Sequence, residues 1–122
     1  MDSAFRPLTT YERELLEKLL EPEFPGRDEL RQQLNSVTAK QLHEDGTLDL
    51  QRGSGPPART KYLMPMEGYC EDADGMTISV LLHVDKDGFM HMLEIVKCDN
   101  SPIINPPAAR DLVLLDPYDL AK

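Results

Sequence analysis

From Met76 to Val96, MTISVLLHVDKDGFMHMLEIV, apolar and polar positions alternate on either side of Asp85-Lys86-Asp87-Gly88. A period of two marks a strand, and an Asp/Gly-rich break between two such runs marks a hairpin turn. Side chains on a strand alternate faces, so the length of the turn decides which residues share the core. A two-residue loop (Asp87-Gly88) or a four-residue loop (Asp85 to Gly88) places Ile78, Val80, Leu82, Val84, Phe89, His91, Leu93 and Ile95 on one face. All but His91 are apolar. A three-residue loop would mix Glu94 and the methionines into that face, so the even loop is preferred. Each large side chain buried there stabilises the fold by roughly 1.5–3 kcal/mol. The opposite face, Thr77, Ser79, Leu81, His83, Met90, Met92, Glu94 and Val96, is mixed and suits half-exposure or contact with a partner.

The remaining chain follows weaker patterns. Thr9 and Glu12 have capping-box spacing, and Tyr11, Leu15, Leu16, Leu19 and Leu20 recur along one helical face, predicting a helix from about Thr10 to Glu21. Pro22, Pro25 and Gly26 end it, with Phe24 turned into the core at the corner. A second helix is predicted from about Arg27 to Asn35, its Asp28 and Glu29 suited to the positive N-terminal end. Val37 to His43, the turn Glu44-Asp45-Gly46-Thr47, and Leu48 with Leu50 suggest a first hairpin. Residues 51–59, QRGSGPPAR, read as a mobile, locally basic loop. Tyr62 to Tyr69 reads as a strand that Pro65 assigns to an edge or a bulge, and Leu112 to Leu115 as a last short strand. Residues 1–8 and 116–122 read as loosely ordered ends. Two helices followed by a run of strands predict an α+β fold, with the N-terminal helices packed on one face of a mainly antiparallel sheet.

Composition narrows this picture. At 122 residues, with 40% hydrophobic and 29% charged residues, the chain suits one globular domain. Asp and Glu number 22 against 13 Lys and Arg, a net charge of −9 that repels phosphate backbones and anionic lipid surfaces. Nucleic acid and membranes are thus disfavoured as partners, and a basic protein is favoured. The opening MDSAFRPLTT shows no basic start followed by an apolar run, and no stretch approaches the ~20 apolar residues of a membrane helix. A cytoplasmic, reducing setting is expected, in which Cys70 and Cys98 are free thiols rather than a disulfide.

Candidate chemistry is sparse. Glu71-Asp72-Ala73-Asp74-Gly75 places carboxylates at alternate positions, as calcium loops do, but its glycine comes too early. The twelfth position from Asp72 is His83 rather than a bidentate glutamate, so the segment reads as a solvated acidic turn. His83 and Glu94 form an acid/base pair if they lie diagonally across the hairpin, as a two-residue loop allows and a four-residue loop does not. His91 falls on the face opposite His83, so no metal is expected between them, and His43 has no evident partner. Acidic neighbours disfavour the Cys70 thiolate. Gly53-Ser54-Gly55 is a flexible loop without the pattern that cradles phosphate. Met64, Met66, Met90 and Met92 suit core filling first and an adaptable binding surface second.

The run Leu81-Leu82-His83-Val84, together with Leu93-Glu94-Ile95, Asp99 and Pro102-Ile103, resembles a family of short bacterial proteins known only as a domain of unknown function. The resemblance extends more weakly to the first helix and to Leu30, Gln33 and Leu34. These are fold-forming positions, and the resemblance brings no catalytic residues and no cofactor. The leading functional expectation is a non-enzymatic module of the immunity-protein or antitoxin kind that occupies a basic partner. Its partner surface would draw on Met90, Met92, His83, Glu71, Asp72 and Asp74. One alternative is an enzyme or small-ligand protein using His83 and Glu94, and another is a homodimer built on a sheet edge or the methionine face.

Overall fold

The structure, a computed structural model, describes residues 2–115. It is α+β, with two helices and a seven-stranded sheet in which every pairing is antiparallel. In chain order the elements are β1 (Arg6–Pro7), α1 (Thr10–Leu19), α2 (Arg27–Gln33), β2 (Thr38–Gln41), β3 (Leu48–Gln51), β4 (Met66–Glu71), β5 (Thr77–Val84), β6 (Met90–Lys97) and β7 (Val113–Leu115). A 3-10 turn at Ala109–Asp111 precedes β7, and the strands lie in the order β1-β2-β3-β6-β5-β4-β7. The expected tail, 116–122, lies outside the described residues.

The helix signals act as their chemistry dictates. The Thr9 hydroxyl accepts the Glu12 N–H, and the Glu12 carboxylate accepts the Thr9 N–H, closing the capping box. Glu12 also takes a two-pronged ion pair from Arg6, which ties the expected loose N-terminus to α1, and Arg6–Pro7 pairs with β2. α1 buries Leu15, Leu16 and Leu19, which share one core with Leu30 of α2 and with Ile78, Val80 and Leu82 of β5.

The main hairpin forms, but its turn is not the even one expected. Gly88 N–H reaches the Asp85 carbonyl and Asp85 N–H the Phe89 carbonyl, so Lys86, Asp87 and Gly88 make a three-residue loop. Gly88 sits at φ +92°, where a side chain is strained, and the Asp85 carboxylate accepts the Asp87 and Phe89 N–H groups. The odd loop turns Met90 inward opposite Val84, and Met90 is fully buried. A β-bulge follows at His91, because Val84 faces Met90 while His83 faces Met92. The extra residue restores parity, so Leu93 and Ile95 reach the core as expected. Three corrections result: Phe89, opposite Asp85, is half-buried and outside the core, Met90 belongs to the core face, and His91 is exposed rather than apolar-facing.

Two further expectations change. β4 has neighbours on both sides, so it is not an edge strand; Pro65 lies just before it, where its missing N–H costs no ladder bond. Of residues 51–59, expected as a mobile loop, Gln51 ends β3 and the segment beyond it is tied to the hairpin tip. Ala58 N–H donates to the Gly88 carbonyl, and Arg52 stacks 4.3 Å over the Phe89 ring. The buried Gln33 amide donates to the Pro56 and Gly88 carbonyls and accepts the Met90 N–H.

Candidate functional site

The bulge at His91 sets the geometry of the outer face of the hairpin. It makes His83 the direct neighbour of Met92 and places Glu94 one diagonal step away, opposite Leu81. His83 Nε2 and Glu94 Oε1 are 2.9 Å apart, with side chains 24% and 39% exposed. The proposed pair is therefore in contact, through the same diagonal register that a two-residue loop would have given. His91 stands on this same side, its ring centroid 6.1 Å from that of His83. The expectation of opposite faces fails because the three-residue loop, which turns Met90 inward, leaves His91 outward beside His83. Among the described residues no group of three His, Cys, Asp or Glu side chains is placed to hold a metal ion.

The acidic turn is not simply solvated. Asp72 is buried and faces Lys97, whose ammonium lies 2.9 Å from Asp72 and 2.8 Å from Asp74 and also donates to the Pro102 carbonyl. Asp72 further accepts N–H groups from Ala73, Ile104 and Asn105. Burial alone would raise its pKa, but the Lys97 bond and the backbone donors outweigh burial and hold the carboxyl far below the usual carboxylate range. The same contacts hold Lys97 protonated to higher pH than usual. Asp72 is thus committed internally and presents nothing to a partner, a correction to its expected place on the surface. The buried Met90 is the second correction to that surface. Lys97 itself was overlooked, although it continues the inward parity of Leu93 and Ile95. Burial, followed by Asp111 and Asp72, pushes the Cys70 thiol up, so desolvation leads and like charge only adds to it.

What remains outward is an ordered array. One row across the strands runs Leu115, Glu67, Leu81, Glu94, from β7 through β4 and β5 to β6. Beside it runs Val113, Tyr69, Ser79, Val96, and on the other side His83, Met92 and Asp49. Val113 and Leu115 are 52% and 39% exposed, whereas Leu81, Met92 and Val96 are half-buried. Glu71 and Asp74 are exposed at the end of the sheet where β4 turns into β5. A cleft of about 750 Å³ lies elsewhere, between α1, α2 and the 3-10 turn, where Arg13, Lys18, Arg31 and Arg110 alternate with Glu14, Glu17 and Glu21 around Leu20 and Leu34. His83 and Glu94 do not line it. The pair can share a proton, on an open surface rather than within a cavity.

Among the described residues no helix is long and apolar enough to cross a membrane. No curated protein and no solved structure matches the chain. The model of the family described as "Domain of unknown function (DUF6984)" matches residues 5–107, and the chain belongs to that family.

Proposed function

We propose that the chain is a non-enzymatic protein-binding module, comparable in kind to an immunity protein or antitoxin, that receives a basic partner on the outer face of β4, β5, β6 and β7. The observation that carries this reading is the row Leu115, Glu67, Leu81, Glu94, in which leucines and glutamates alternate. The buried leucines of α1 and α2 share their core with the even-numbered residues of β5. Both helices on this reading cover that face and leave the other open. An apolar centre with an acidic surround suits a partner bearing apolar and basic groups, and the −9 net charge favours its approach. The reading takes a reducing cytoplasm as its setting.

The test is affinity capture from the native host with the wild-type chain, a Met92→Asp variant and an unrelated acidic protein of similar charge. A basic protein held by the wild type and lost with Met92→Asp is expected. Recovery of the same proteins on the acidic control, or no loss with Met92→Asp, would refute the reading. The second reading is a small-ligand or enzymatic role for His83 and Glu94, favoured by their 2.9 Å contact. Against it stands the open setting, since ligand sites are usually concave.

A further inference from the structure

We propose that the segment docked on the open face is a basic amphipathic helix, laid across the strands with cationic residues seven positions apart. This rests on the open-face reading and names the chemistry of its partner. The support is the spacing of the outward row. Glu67 on β4 and Glu94 on β6 both flank Leu81 on β5, each directly opposite it in register. Neighbouring strands lie ~4.8 Å apart, so the two carboxylate-bearing positions are separated by about 9.6 Å. An α-helix advances ~1.5 Å per residue, so positions i and i+7 stand about 10.5 Å apart on one face. Lysine or arginine at those two positions meets the two glutamates, and the apolar residues at i+3 and i+4 lie over Leu81. Leu115, in register beyond Glu67, extends the alternation by one apolar step. Glu94 already shares a hydrogen bond with His83, whereas the Glu67 carboxylate has no hydrogen bond or ion pair among the described residues. Of the two carboxylates, Glu67 is therefore the one without a partner among the described residues, and recognition depends on it most.

The test uses the full chain and two fluorescent synthetic peptides of equal composition. One is helical, with lysines at i and i+7 and leucines at i+3 and i+4. In the other the lysines are five apart, which places them on different faces of the helix. Fluorescence anisotropy at low salt should show the first peptide binding at least about tenfold more tightly than the second. Glu67→Lys should weaken the first peptide by about tenfold and Glu67→Gln by less, while Glu14→Lys on the far side of α1 should leave it within about twofold. Melting curves show that each variant is folded. Equal affinity for the two peptides, no binding of the first, or an equal loss with Glu14→Lys would overturn the proposal. If both peptides bind equally and Met92→Asp abolishes both, the helix spacing is wrong but the open face stands. If Met92→Asp changes nothing, the open-face reading falls with it.

Discussion

Lys97 turns its charge inward, and that one side chain holds together two segments far apart in sequence. Its ammonium is 2% exposed and faces an Asp72 carboxylate that is 0% exposed, so each neutralises the other out of reach of water. Asp72 and Asp74 have folded pKa values below their ordinary 3.8, so their contribution to stability is complete above that pH and is lost as pH falls below it. Lys97 has a raised folded value, so its contribution is complete below its ordinary 10.5 and is lost as pH rises past the folded value. Between those limits the cluster stabilises fully. Asp72→Asn should therefore lower the melting temperature by several degrees at neutral pH, with the gap to wild type closing as pH falls below about 4. A gap that stays constant down to pH 2 would mean that the carboxylate charge is not what holds the cluster. Two glycines offer a second comparison at this scale. Gly75 and Gly88 both have positive φ, but a Cβ on Gly75 meets nothing within 4 Å, whereas on Gly88 it would come 2.4 Å from the Ala58 carbonyl oxygen. Gly75→Ala should cost about 1 kcal/mol by denaturant unfolding, the backbone cost alone. Gly88→Ala should cost clearly more, because the 52–58 segment has to move away.

At the scale of elements, the hairpin shows why part of the fold was legible and part was not. Alternation placed Ile78, Val80, Leu82, Val84, Leu93 and Ile95 in the core, and all six are there. An even loop is not what puts them there. A three-residue turn and a bulge each shift the register by one, and the two shifts cancel before Leu93. Only the residues between them, Phe89, Met90 and His91, exchange faces, because periodicity over a whole strand does not sense a single-residue insertion. The Lys97–Asp72 pair stayed hidden for a different cause: its partners are 25 residues apart, and no local pattern joins them. The His83–Glu94 contact was legible as one of two outcomes of register, and the register decided it. Deletion of His91 should then remove the bulge and leave every core residue in place, giving a folded protein by circular dichroism and NMR dispersion. Deletion of Ser79 should turn Ile78 out of the core and unfold the chain. Gln33 acts between elements in the same way, joining α2 to Pro56, Gly88 and Met90. Gln33→Leu should destabilise by about 3 kcal/mol, since buried backbone groups lose their partner at roughly 1–3 kcal/mol each.

For the whole molecule, charge is unevenly placed along the strands, and on the proposed docking reading this separates steering from contact. The segment 51–64 carries Arg52, Arg59 and Lys61 with no acidic residue, and it lies by the hairpin tip, whose Asp85 and Asp87 outweigh Lys86 and offset part of that charge without reversing it. The turns at the other end of the sheet carry Glu44, Asp45, Glu71, Asp74 and Asp99. A basic ligand approaching the outer face therefore meets a field graded along the strands, attractive at the turn end and opposed at the tip. Such a field acts over a Debye length, ~30 Å at 0.01 M salt but only ~8 Å at 0.15 M, whereas residues in the interface act at contact range. The two effects separate in stopped-flow measurements with the lysine-bearing helical peptide. Reversing charge at the turn end, as in Glu44→Lys with Glu71→Lys, should lower the association rate several-fold at low salt and leave dissociation unchanged. Glu67→Lys, at the centre of the face, should instead raise the dissociation rate, an effect that persists at 0.15 M salt because the contact itself is broken. If the turn-end reversals speed dissociation as much as Glu67→Lys does, the turns are part of the contact surface, and the division between a steering end and a docking face does not hold.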